Sequence, residues 1–373
     1  VDETPRPAGG PRRRVGAACV GAALALVVAE LAFRAFGLGA PSAPKCLLRD
    51  ADDPTVQYHC YPSNPSGEFQ PAPDVSAGRW TLTQLLSPTV EAPLSALSAT
   101  PWCVEYRRPN RMVRGDAPAP SAAPGVVRIA GIGDSFALGE GVPVGKTLFA
   151  HLQRLMGPRA EVFNCGESGA DMELNVRRLD WMVANLAVRR ALVVFNLNDV
   201  ALTPPMREAL DGAYDLVNLR AAQLDAARVR PWWSRLSRVA AFFDEAAEVR
   251  DVAKATVRSY LDAYDPALNG ANLAELSAQF RRLAVRADVD VALVVYPMMY
   301  RLDDCPLQPC HDQVVRLARE AGLPVLDLMP AFRGMDADTL RVHALDHHPN
   351  GRAHEIAARA VAEWIASEPK LRW

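Results

Sequence analysis

The sequence predicts an α/β protein: a three-layer α/β/α domain on a parallel sheet, with a helical insertion and a preceding transmembrane helix. Three observations predict this. From residue 126 onward, short β-like apolar runs alternate with runs of helical period, the pattern of a parallel sheet covered on both faces. That rhythm breaks between 201 and 270. Residues 15–33 are almost all apolar and small, and a stretch of roughly 20 such residues spans a bilayer as a helix.

The N-terminal stretch is interrupted only by Glu30 and preceded by Arg12, Arg13 and Arg14. The positive-inside rule leaves residues 1–14 as a cytoplasmic tail and 15–37 as an uncleaved single-pass anchor, with the remainder extracytoplasmic. A cleaved signal peptide fits less well. Cuts after Ala40 or Ala43 would leave proline at the new terminus, and a cut after Ala32 would place Glu30 at the −3 position. Residues 38–118 are rich in Pro, Ser and Asp and read as an irregular juxtamembrane region with a few strands.

The α/β pattern occupies the domain at 119–373. Strands are expected at 126–132, 160–164, 191–196, 289–296 and 324–328, all near-continuous apolar runs as in the centre of a parallel sheet. Amphipathic helices are expected near 147–156, 171–187, 271–286, 312–321 and 351–367. Within the insertion at 201–270, Trp232, Trp233, Leu236, Val239, Phe242 and Phe243 have helical spacing. They read as the packing face of a helical subdomain, with a substrate lid as the functional alternative.

Half of the 373 residues are apolar, enough for one large core. The net charge of −2 and the interspersed signs leave nucleic-acid binding without electrostatic support. Seven cysteines include no C-x-x-C pair, which disfavours a zinc ribbon or thioredoxin-like site. Cys46 with Cys60, and Cys305 with Cys310, flank short loops. They read either as local disulfides of an oxidising compartment or as free thiols.

In open parallel sheets, ligands sit beyond the carboxyl ends of the strands, and four segments there carry chemistry. The first strand ends in Gly133-Asp134-Ser135, either a helix cap or a nucleophile at the mouth of the sheet. The second ends in Asn164-Cys165-Gly166-Glu167-Ser168-Gly169-Ala170-Asp171, a turn that can also offer a glycine N–H to a reacting carbonyl. The third ends in Asn196-Leu197-Asn198-Asp199, where an Asn amide can donate to an oxyanion. Near the C-terminus lies Asp346-His347-His348-Pro349-Asn350. An imidazole activates a serine hydroxyl, and a carboxylate sets its tautomer. A metal site from His343, Asp346, His347 and His348 is the rival reading.

Together these segments resemble the SGNH hydrolases, or GDSL esterases, over roughly 126–369 without the insertion. The resemblance implies an SGNH/flavodoxin-like sheet, a serine esterase acting on acyl or acetyl esters, and neither metal nor organic cofactor. Ser135 would be the nucleophile, His348 the base and Asp346 its partner. Ser135, Gly169 and Asn198 would form the oxyanion hole. Tyr106-Arg107-Arg108-Pro109-Asn110 resembles a stretch found upstream of the catalytic domain in anchored bacterial members. The pattern departs in two places: Asn196 stands where Gly is usual, and Asp346 precedes His348 by two residues rather than three. Two alternatives share the scaffold, an O-acyltransferase acting on an envelope polysaccharide and a catalytically silent envelope-binding protein. No G-x-S-x-G elbow occurs, which disfavours an ordinary α/β-hydrolase.

Overall fold

The computed structural model describes residues 11–36, 46–61, 64, 67–71, 73, 80–84, 87–92, 102–109, 112–204, 206, 236–343 and 346–371. The first element is helix α1 (Pro11–Ala35). At about 1.5 Å rise per residue, its 25 residues exceed the ~30 Å of a bilayer's hydrocarbon core. It is the one described helix long and apolar enough to cross a membrane.

The region expected to be irregular instead contains a six-stranded antiparallel sheet. Its strands are β1 (Cys46–Asp50), β2 (Val56–Tyr61), β3 (Gln70–Pro71), β4 (Trp80–Gln84), β5 (Ser87–Ala92) and β6 (Trp102–Arg107), in the order β3-β6-β2-β1-β4-β5. Its Pro and Ser residues obscure short strands rich in Val, Tyr, Trp and Cys, residue types that suit a half-buried pleated surface. The compact unit holding this sheet begins at Ala43 and also holds the parallel sheet.

Cys60 is bonded to Cys103, not to Cys46. β2 lies between β1 and β6, so Cys60 stands opposite both Cys46 and Cys103, a choice that loop spacing does not reveal. Cys305 and Cys310 are free thiols.

The parallel sheet comprises β7 (Val127–Gly133), β8 (Ala160–Asn164), β9 (Arg190–Phe195), β10 (Asp290–Val295) and β11 (Val325–Asp327). Its order, β8-β7-β9-β10-β11, is the 2-1-3-4-5 arrangement of a flavodoxin-like sheet. The helices are α2 (Ser135–Leu138), α3 (Leu148–Met156), α4 (Met172–Leu186), α5 (Arg238–Ala263), α6 (Pro266–Ala284), α7 (Gln308–Glu320), α8 (Met329–Phe332) and α9 (Gly351–Ser367). α3 packs on α9, whereas α4 packs on α6 and α6 on α7. Right-handed crossovers account for this split. The connection from β7 to β8 runs one way along the sheet, and the later ones run the other way. The buried side chains of β9 and β10 form the centre of the core. A two-stranded ribbon, β12 (Arg341–His343) and β13 (Asp346–Pro349), precedes α9.

Trp232 and Trp233, and most of the proposed lid, lie outside the described residues. At the start of α5, Leu236 and Phe243 are exposed rather than packed, while the ring of Phe242 meets Phe33 edge-on at 5.4 Å. Glu30, the one charge in the apolar stretch, has a structural use. It accepts from Ser237 Oγ and Arg238 N–H at 2.9 Å each and from Val239 N–H at 3.2 Å. It thereby satisfies N–H groups that a helix start leaves without partners.

The Cys60–Cys103 bond closes a loop across a sequence separation of 43. On the chain-entropy account, such a loop contributes about 4 kcal/mol. The double variant Cys60→Ser/Cys103→Ser should lose on the order of 2–4 kcal/mol in denaturant unfolding followed by near-UV circular dichroism. An unchanged midpoint would show that the staple adds nothing.

Candidate active site

β7 ends where the strand order reverses, flanked by β8 on one side and β9 on the other. In open α/β sheets such a switch point, at the carboxyl ends of the strands, is where ligands bind. Asp134 leaves β7 as the N-cap of α2, its Oδ1 accepting Phe136 N–H at 2.8 Å. Ser135 follows as the first residue of a single helical turn that ends at Gly139. Asp134 is therefore a cap, while Ser135, 7% exposed, stands at the carboxyl end of β7.

β13 brings the other groups. A strand alternates its side chains with period two, so Asp346 and His348 share a face and His347 takes the opposite one. His348 Nδ1 lies 2.5 Å from Asp346 Oδ1, and His348 Nε2 lies 2.8 Å from Ser135 Oγ. The carboxylate accepts a hydrogen bond from Nδ1–H, which leaves Nε2 as the acceptor for the serine hydroxyl. The spacing of two residues from Asp to His thus satisfies the geometry through an extended backbone. His347 Nε2 instead accepts from Arg341 at 3.0 Å.

His347 is thereby drawn away from the rival metal set. Among the described residues, one group presents three metal-ligand atoms within 4.8 Å of one another: Glu140, Asp346 and His348. Both imidazole nitrogens and both Asp346 oxygens in that group already make hydrogen bonds, so a cation would have to displace the Ser–His–Asp array.

At the end of β9, Asn196 N-caps a 3₁₀ turn. Its Oδ1 accepts Asn198 N–H at 3.4 Å, its Nδ2 donates to the Tyr296 carbonyl at 3.1 Å, and its own N–H is accepted by Asp199 at 3.0 Å. The Asn196 side chain therefore builds the turn. Asn198, the second residue of this turn, is exposed, and its side chain favours the charged form of Asp134. Asp134 and Asp199 are both buried. Desolvation pushes the Asp134 carboxyl up from 3.8 to about 6, despite the Phe136 N–H and the His348 charge that oppose the shift. Burial pushes Asp199 well above the usual range, and the nearby Asp134 charge adds to it.

The second loop is held from below and from the side. A Cβ on Gly166 would lie 2.2 Å from the Leu138 nitrogen, so only glycine lets this loop pack under α2. Glu167 is gripped by Arg108 at 2.5 Å and Arg178 at 3.1 Å. Gly169 (φ 73°) is exposed on the same loop, and the preceding Ser168 hydroxyl donates to Glu140 at 2.6 Å. Glu140 N–H in turn bonds the Ser135 carbonyl at 3.0 Å. The structure therefore gathers Ser135, His348 and Asp346 directly, sets Asn198 within reach of Asp134, and ties the loop of Gly169 to the turn after Ser135.

Sequence reasoning missed three contributors. Tyr61, from β2, donates to Asp346 Oδ2 at 2.9 Å. Buried Arg114 donates to the carbonyls of Leu138 and Gly139 at 2.6 and 2.7 Å and to that of Val142, with the Tyr106 ring under its guanidinium. Glu140 joins the two loops. The upstream Tyr106–Asn110 stretch was the available signal. Its Tyr106 hydroxyl accepts Gly141 N–H, and its Arg108 holds Glu167. A cavity of about 530 Å³ lined by residues such as Glu68, Arg114 and Gln153 includes neither Ser135 nor His348.

No family model and no curated protein matches this chain. Among solved structures, it is similar to a phospholipase A1 from Streptomyces albidoflavus NA297 (13% identity, 64% of this chain and 98% of that one, TM-score 0.40). It is also similar to a carbohydrate acetylesterase family member from Sinorhizobium meliloti (11%, 66% and 100%, TM-score 0.37). A third is a putative lipolytic protein of the G-D-S-L family from Desulfitobacterium hafniense DCB-2 (16%, 64% and 98%, TM-score 0.33).

The array can transfer a proton from a hydroxyl to an imidazole whose cation is stabilised by a buried carboxylate. The Asp134–Asp199 pair has a consequence for stability. The folded chain holds the Asp134 proton up to about pH 6, against an ordinary value of 3.8. It therefore binds more protons than the unfolded chain across that window, so the pair's contribution to stability falls as pH rises through it. Denaturant midpoints in the same range should lose this component in Asp134→Asn and in Asp199→Asn. An unchanged slope in both variants would mean that the carboxyls are ionised throughout.

Proposed function

We propose that this chain is a serine ester hydrolase of the SGNH type, acting on acyl or acetyl esters. The observation that carries the proposal is the continuous hydrogen-bonded chain from Ser135 through His348 to Asp346, at the switch point of a parallel sheet. Ser135 Oγ attacks the ester carbonyl as its proton moves to His348 Nε2. The tetrahedral intermediate places negative charge on the former carbonyl oxygen. The N–H groups of Ser135 and Gly169 and the Asn198 amide stabilise that charge. The Asn198 side-chain amide has two protons to offer in this role. Collapse expels the alcohol, which takes the proton from His348. Water, activated by the same imidazole, then releases the acid and restores Ser135.

The proposal includes a single-pass anchor with the catalytic unit on the extracytoplasmic side. The arginines at 12–14 precede the apolar helix, and a Cys60–Cys103 disulfide suits an oxidising compartment. These two observations also favour a second reading, acyl transfer to an envelope glycan hydroxyl in place of water. Turnover assays with and without an added polysaccharide acceptor separate the two.

In Ser135→Ala and His348→Ala, kcat on a short-chain ester should fall by roughly 10⁴-fold or more with the fold retained. A fluorophosphonate should label the wild type at Ser135, mapped by mass spectrometry. His347→Ala should keep turnover within a few-fold. Hydrolysis that survives Ser135→Ala removes this reading.

A further inference from the structure

The Asp346 carboxylate has no exposed surface and, among the described residues, accepts from at least three donors. Two belong to His348, its Nδ1–H and its backbone N–H at 3.2 Å. The third is the Tyr61 hydroxyl at 2.9 Å, which comes from the opposite end of the chain. Tyr61 is itself fully buried, stacked on Phe69 with ring centroids 4.9 Å apart and tilted against His343 at 5.9 Å. Space for the phenol is made by Gly141. A Cβ there would stand 2.6 Å from the Tyr61 oxygen, and the backbone, at φ 74°, already favours glycine. Cys60, the preceding residue, is tied to β6 by the disulfide, so the end of β2 is held where the hydroxyl meets the carboxylate.

We propose that Tyr61 is a positioning residue: its phenol, delivered by the upstream sheet, fixes the orientation and charge distribution of Asp346 and through it the imidazole of His348. For its kinetic consequences this inference rests on the ester-hydrolase reading. Burial, together with the negative charge of Asp346, raises the Tyr61 phenol well above its usual range, so it remains a donor at any working pH. The other titratable and charged groups around this point include Glu140 and Asp134 from the segment after β7, the buried guanidinium of Arg114, His343 from β12, and Tyr106 and His59 from the upstream sheet.

A tyrosine that merely fills the core would affect stability alone, whereas a positioning tyrosine also alters the proton relay. The test uses the full chain in detergent micelles and the variant Tyr61→Phe, which deletes one oxygen. kcat for a short-chain ester should fall about 10-fold with KM unchanged, the loss of one hydrogen bond to a charged group. The acidic limb of the pH–rate profile should move to higher pH. An Asp346 carboxylate with one donor fewer keeps its negative charge more concentrated and holds the imidazolium more strongly.

A second measurement does not depend on turnover. The downfield Nδ1–H resonance of His348, identified by its disappearance in His348→Gln, should move in Tyr61→Phe. If Tyr61→Phe fails to fold, 3-fluorotyrosine at position 61 keeps the ring and makes the phenol a stronger donor, so it should move the resonance in the opposite direction. Unchanged kcat, acidic limb and resonance in a folded Tyr61→Phe overturn the proposal. A resonance that moves in a protein whose wild type neither hydrolyses esters nor accepts the fluorophosphonate would uphold the positioning role and discard the ester reading.

Discussion

A carboxylate without access to water must be surrounded by donors or take up a proton, and Asp346 is such a carboxylate. Its donors lie far apart in the chain: His348 is two residues away, whereas Tyr61 is 285 residues away. Supplying Asp346 with the Tyr61 donor therefore requires the antiparallel sheet to close onto the end of the parallel one. The shared core at that junction includes Tyr61, Val104 and Tyr106 from one sheet and Leu138, Val142 and Val342 from the segments around the site. Packing and proton relay are thus one arrangement.

The turn that follows the nucleophile depends on the same closure. Residues 138–142 leave carbonyls pointing inward after a one-turn helix, too short to satisfy them internally. Arg114, a buried guanidinium, bonds three of them, and the Tyr106 ring covers its face. Burial lowers the Arg114 pKa, yet guanidinium remains charged in proteins, so this brace holds across the working pH range. On the far side of the nucleophile, Asp134 and Asp199 crowd the switch point with two carboxyls that cannot both ionise cheaply.

Each of the two places where the sequence departs from the SGNH pattern it resembles has a local structural account. Asn196 supplies a side chain that caps the turn itself. Asp346 reaches His348 across two residues because that segment is a strand, which turns alternate side chains to one side. Neither outcome could be read without knowing the backbone conformation at the position concerned.

The alternation of strands and helices, the residues at the strand ends and the apolar first helix were legible in the sequence, because periodicity and local turn chemistry act over a few residues. The strand-end positions of Ser135, Gly169 and Asn198, and the Asp346–His348 pair, were legible for the same reason, and their proposed roles came from the family resemblance. Which cysteine Cys60 joins, whether residues 46–107 form a sheet, and that Tyr61 meets Asp346 were decided only by tertiary structure. These depend on which strands become neighbours and what is buried between them. Such pairings are selected by the closure of the whole chain, and no single segment carries a signal for its distant partner.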